Sequence, residues 1–225
     1  MTERIIATTT HGRYLVIPSA VSGPAPMLVG FHGYGEDADM QLERLRAIPG
    51  SASWVIVSIQ ALHRFYDRRT NAVVASWMTR QDREAAIADN LAYVHKCLDA
   101  VSAELPTIRK IVFAGFSQGV AMAFRAATNA TGFEAGVVSV GGDVPPELAP
   151  DALKRLSGAL VIRGASDPWY LKEQLAADER RLKESSVKVR AIEFNGAHEW
   201  SGDVAAAASG FLAISYPASM LPQSR

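Results

Sequence analysis

Apolar residues fall in short runs along the chain: "RIIATT" (4–9), "RYLVIP" (13–18), "MLVGFH" (27–32), "SWVIVSI" (53–59), "KIVFAGF" (110–116), "EAGVVSV" (134–140), "ALVIRG" (159–164) and "VKVRAIEF" (187–194). Several are near-continuous and rich in Val and Ile, as parallel strands buried on both faces require. A longer period appears between them. In residues 82–103, Ile87, Leu91, Val94, Leu98 and Val101 alternate spacings of four and three, which puts them on one helix face. Residues 169–186 and 200–214 also read as helices, and the charge cluster in 172–184 reads as a solvated face. Strands alternating with helices predict an α/β fold, a mostly parallel sheet of about eight strands with helices on both faces. The first two runs have no helix between them and are expected to pair antiparallel at one edge. Residues 61–80 have weak periodicity and read as a long loop. From it Phe65, Tyr66, Trp77 and Met78 either reach a substrate or pack as a satellite cluster.

Composition narrows the classes. A chain of 225 residues, 48% hydrophobic and 20% charged, fits one globular domain over residues 1–225. The net charge is zero and no Lys/Arg stripe interleaves with aromatics, so no nucleic-acid partner is expected. The N-terminal "MTERIIATTTHGR" lacks the apolar core of a signal peptide, and no apolar run approaches membrane-spanning length. A cytoplasmic protein without stable membrane insertion is therefore expected, and a homodimer is left open. The single cysteine, Cys97, forbids an internal disulfide and reads as a buried structural thiol beside the apolar stripe of its helix. His11, His63 and His95 are scattered without metal-ligand spacing, so no metal is expected.

Chemistry enters at "GFSQG", where Ser117 stands between Gly115 and Gly119 at the junction of a strand-like run and an alanine-rich, helix-forming one. A G-x-S-x-G turn at that junction can hold a serine hydroxyl at the tip of a strained strand-to-helix bend, where the glycines relieve backbone crowding. The plainer reading is a glycine-rich turn with a serine helix cap. A serine needs a base, and the base needs an orienting group. Downstream of Ser117 the chain has one histidine, His198, in the loop after "VKVRAIEF". Asp167 follows "ALVIRG" and is a candidate acid, although Asp before Pro168 also suits a helix cap. Asp143, one strand earlier, is its rival. Upstream, "FHGYGE" supplies a glycine-flanked loop after a strand, suited to presenting a backbone N–H to an oxyanion. The amides of Tyr34 and Gln118 are the candidate donors. His32 precedes Ser117 in the chain and is read as a loop residue, not as the base.

Together, "FHGYGE", "GFSQG", "GASDPWY" and "GAHEW" resemble the carboxylesterase/phospholipase family of α/β-hydrolases, which includes the acyl-protein thioesterases. The resemblance spans residues 31–200. It implies Ser117 as nucleophile, Asp167 as acid, His198 as base, and Tyr34 and Gln118 as oxyanion-hole amides. It also implies a small-molecule ester or thioester substrate and no cofactor. The sequence departs from the family pattern at Glu36, where the family commonly has Asp, and at Trp169 and Tyr170 after the acid. Trp77, Trp169 and Tyr170 are candidate substrate contacts. The run from "EAGVVSV" to "ALVIRG" is too short for a cap domain. A ligand-binding module with negligible turnover and an acyltransferase are the alternatives to a hydrolase.

Overall fold

A computed structural model describes residues 1–216. Its main sheet contains β1 (Tyr14–Ile17), β2 (Ala25–Phe31), β3 (Val55–Ile59), β6 (Thr107–Phe116), β7 (Glu134–Val140), β8 (Gly158–Gly164) and β9 (Val189–Phe194) in the order β1-β3-β2-β6-β7-β8-β9. Every pairing is parallel except β1 with β3. A separate antiparallel hairpin, β4 (His63–Tyr66) and β5 (Val73–Ser76), occupies the segment expected to be a loop. The connections carry α1 (Ala38–Arg46), α2 (Arg83–Glu104), α3 (Gln118–Asn129), the short α4 (Pro150–Leu153), α5 (Lys172–Glu184) and α6 (Gly202–Ser215).

The seven-stranded sheet differs from expectation at its edge. "RIIATT" forms no strand, and Ile5 and Ile6 are exposed. "RYLVIP" is antiparallel at the edge as expected, but its partner is β3. A strand requires backbone N–H and C=O groups paired with a neighbouring strand, and residues 4–9 make no such pairing although β1 and β9 stand as the outermost strands of the sheet.

Strand residues alternate between two cores. Met27, Val29 and Phe31 of β2 and Ile111 and Phe113 of β6 face one core, completed by α2, α3 and α5. Leu28, Val112, Ala114 and Phe116 face the other, completed by α1 and α6. Of the predicted α2 stripe, Val94, Leu98 and Val101 are buried, while Ile87 and Leu91 are half-buried against the core. Cys97 is buried there too, and burial pushes its thiol up to about 11, so it remains a thiol at neutral pH. The charged α5 is less uniform than expected. Leu175, Asp178 and Leu182, spaced three and four apart, share its buried face.

The chain runs from β2 outward to β3 and then returns to place β6 on the other side of β2. In such sheets this reversal opens a crevice at the carboxyl ends of the two strands. No cap domain intervenes between β7 and β8, where the only helix is the four-residue α4.

Candidate active site

Ser117 sits in the turn between β6 and α3 with φ 51° and ψ −119°, outside the conformations that side-chain-bearing residues ordinarily adopt. The strain is held by backbone packing. A Cβ at Gly115 would stand 2.5 Å from the carbonyl oxygen of Gly119, and a Cβ at Gly119 would stand 2.2 Å from that of Phe31. Neither contact is sterically admissible, so the two glycines let α3 start directly against β2. The Ser117 amide donates to the Val140 carbonyl at 2.9 Å, which fixes the elbow to β7. The positive end of the α3 dipole lies at this serine.

Asp167 and His198 come from the loops after β8 and β9. His198 Nδ1 and Asp167 Oδ2 are 2.7 Å apart. The other carboxylate oxygen, Oδ1, accepts the amides of Trp169 at 2.9 Å and Tyr170 at 3.1 Å. Oδ2 thus faces the histidine, while Oδ1 fastens the turn that follows β8. It does not cap α5, which starts only at Lys172 with Leu171 at the cap position. Asp143, the rival, is instead hydrogen-bonded by Gln174 Nε2 at 2.8 Å. The His198 ring packs against Phe116, with ring centres 4.9 Å apart, and meets Trp169 in a T-shaped contact with centres 4.6 Å apart.

Two cavities meet at these residues. One, of about 370 Å³, is lined by Tyr34, Glu36, Phe116, Ser117, Trp169 and His198. The second, of about 380 Å³, shares Ser117, Trp169 and His198 and continues along α3. Tyr34 lines the first cavity and Gln118 the second, and Ser117 lines both. Among the described residues, neither of their backbone N–H groups donates to a protein acceptor.

The loop bearing Tyr34 is held by an ion pair that sequence reading missed. Glu36 Oε2 accepts the Gly33 amide at 2.7 Å, and Arg44 grips both oxygens of Glu36 at 2.6 and 2.7 Å. The Arg44 guanidinium also lies 4.3 Å from the centre of the Phe116 ring. Asp37 caps α1 through the Met40 amide. The departure at Glu36 therefore leaves a carboxylate closing the loop. The eight-residue separation of Glu36 and Arg44 matches no local motif.

His32 is wholly buried and structural. Its Nδ1 donates to the Gly33 carbonyl at 2.7 Å and its Nε2 accepts the Ala61 amide at 3.0 Å, which defines the neutral tautomer. Burial holds its pKa below the ordinary histidine value.

The expectation for Trp77 does not hold. Its side chain is fully buried, stacked edge-on against Phe31, and its indole N–H donates to the His32 carbonyl at 2.8 Å. The Gln118 side chain fastens this segment to the elbow by accepting the Trp77 amide and donating to the Met78 carbonyl. Trp77 is scaffold, whereas Trp169 is 71% exposed at the cavity mouth. Tyr170 lines the cavity but is itself buried, with its hydroxyl on Asp178 at 2.9 Å.

Among the described residues no cluster of side chains suits a metal ion, and no helix is long and apolar enough to cross a membrane. Comparison with known proteins agrees with the fold. Esterase PE8 superposes with a TM-score of 0.69 at 19% identity, covering 92% of this chain and 100% of its own. The Zea mays acyl-protein thioesterase 2 gives 0.67 at 19% identity, with coverage of 91% and 99%. The Bacillus cereus carboxylesterase gives 0.69 at 16% identity, with coverage of 91% and 95%. A search of curated protein sequences finds no match. The family model described as Phospholipase/Carboxylesterase matches residues 13–216, and the chain belongs to that family of α/β-hydrolases.

Proposed function

We propose that the protein is a serine hydrolase that cleaves carboxylic esters or thioesters through an acyl-enzyme. The observation that carries this reading is that His198, hydrogen-bonded to the buried Asp167, lines the same two cavities as Ser117 of the strained elbow. Membership of a phospholipase/carboxylesterase family supports it, as do structural neighbours named as esterases and a thioesterase.

In the proposed reaction His198 carries its proton on Nδ1, held toward Asp167, so that Nε2 is a free base. As the Ser117 oxygen bonds to the substrate carbonyl carbon, its proton passes to Nε2. The carbonyl oxygen becomes an oxyanion that accepts the Tyr34 and Gln118 amides, each such donor contributing about a hundredfold or more. Asp167 steadies the imidazolium formed in this step. Breaking the bond to the leaving group returns the Nε2 proton to the departing alcohol or thiol, leaving an acyl-serine. Water repeats the sequence and releases the acid.

A panel of oxygen esters and thioesters graded by acyl length tests this with the wild type and Ser117→Ala. The reading requires turnover of at least one class that falls by about four to six orders of magnitude in the variant. Turnover of no member, or turnover equal in both proteins, would overturn it.

A further inference from the structure

The 380 Å³ cavity contains a charged end that ester cleavage itself does not require. Ser117, Ala121 and Arg125 are four residues apart in succession, so they lie along one face of α3 and all three line this cavity. At 1.5 Å of rise per residue, Arg125 is about 12 Å along the axis from Ser117, and side chains on a helix lean back toward its N-terminus. Ala121 between them leaves the path open. The Arg125 side chain is 2% exposed. Its Nε donates to Glu147 Oε1 at 2.8 Å and its Nη2 to the same oxygen.

That leaves Nη1 of Arg125, whose partner is the thioether sulfur of Met78 at 3.7 Å. Arg83, which also lines the cavity, aims its Nη1 at the same sulfur from 2.8 Å, with its Nη2 3.9 Å from Glu147. Two guanidinium groups thus converge on one thioether, a weak acceptor, while a single carboxylate serves both. Asp143 also lines the cavity, but its Oδ1 is taken by Gln174, and burial raises its pKa. Guanidinium forks favour carboxylates, which they bind through charge-assisted and often bidentate hydrogen bonds.

We infer that the cavity running from Ser117 along α3 binds a carboxylate of the substrate between Arg83 and Arg125, so that the preferred esters carry a negative charge several bonds from the scissile carbonyl. This rests on the hydrolase reading above and specifies its substrate class. The carboxylate belongs either to a dicarboxylic acyl group or to a hydroxy-acid leaving group, and the test separates the two.

The first arm compares the mono-p-nitrophenyl ester of glutaric acid with p-nitrophenyl valerate, its neutral counterpart. The second compares the butyryl ester of 4-hydroxybutyrate with butyl butyrate in a pH-stat. One arm should show kcat/KM higher by about 10- to 100-fold for the anionic ester, the range expected of hydrogen bonds to charged groups. Arg83→Met should bring that ratio close to one, and Arg83→Lys should restore part of it. Added salt should lower the ratio in the wild type. A turnover-independent reading uses Ser117→Ala. Glutarate for the first arm, or 4-hydroxybutyrate for the second, should raise its Tm, and the additional Arg83→Met change should abolish the rise. Hydrolysis of neutral esters without preference in either arm, and without a Tm rise, overturns this inference and leaves the hydrolase reading standing. Absence of all turnover together with a carboxylate-dependent Tm rise would overturn the hydrolase reading, and with it the ester preference, and leave only a carboxylate-binding cavity.

Discussion

Asp167→Asn is the perturbation whose outcome the geometry specifies most fully. The two oxygens of Asp167 have different partners. Oδ1 accepts two backbone amides, from Trp169 and Tyr170, and Oδ2 faces His198 Nδ1 at 2.7 Å. An asparagine must place its carbonyl on one side and its NH2 on the other. With the NH2 toward the loop, two amide donors would face another donor, at about 1–3 kcal/mol for each unsatisfied group. The amide therefore keeps its oxygen on the loop and presents NH2 to His198. Nδ1 must then accept, the ring proton moves to Nε2, and the imidazole can no longer take a proton from Ser117. The same tautomer error in a serine protease triad lowers kcat by about 10⁴, or about 5 kcal/mol. The loop bonds survive, so the fold should too. Steady-state kcat on a short p-nitrophenyl ester, with a thermal melt as control, measures both. A loss of about 10³–10⁴ with an unchanged Tm is expected. A loss below tenfold, or a crippling effect of Asp143→Asn in its place, would refute the reasoning.

Other outcomes follow from the same structure. Gly119→Ala puts a methyl 2.2 Å from the Phe31 carbonyl oxygen and should destabilise the fold by about 3 kcal/mol or more, lowering Tm by roughly 6–12 °C; a melt within about 2 °C of wild type would contradict this. Tyr34→Phe should keep most activity, since the backbone amide and not the phenol is assigned to the oxyanion, and a collapse of kcat at unchanged KM would transfer the role to the hydroxyl. Burial pushes the Asp178 carboxyl up to about 6 from an ordinary 3.8, so the folded chain holds that proton more tightly than the unfolded one. The contribution from Asp178 to stability should therefore fall as pH rises from about 4 through about 6, and Asp178→Asn should flatten that part of a Tm-against-pH curve. With no cap domain, the rate on a longer ester should pass smoothly through its solubility limit, and a sharp rise there would make the β4–β5 hairpin a lid.

What the sequence disclosed depended on how local the physics is. The Ser117 elbow was legible because its two glycines answer a clash between groups only a few residues apart, together with one strand that such turns always abut. The α2 stripe was legible because helical spacing alone decides which residues face a core. Trp77 was not, since an aromatic in a weakly periodic segment reads the same whether it is core or rim; its place is set by His32 and Gln118, each more than 40 residues away. Asp178 was hidden inside a run of surface charges, and only the helix phase shared with Leu175 and Leu182 marks it as buried. Arg125 in an alanine-rich helix gave no hint that Glu147, 22 residues on, would cover it. The strand "RIIATT" failed for a related reason, because a strand is defined by a partner that its own residues do not name.

The central claim is that Ser117 becomes acylated, and a fluorophosphonate probe followed by intact-mass and peptide mapping tests it most directly. The account predicts one adduct per chain, located on the peptide that contains Ser117, with parallel loss of esterase activity, slower labelling in His198→Ala and none in Ser117→Ala. Full esterase activity with no adduct, or an adduct on another residue that persists in Ser117→Ala, would contradict it.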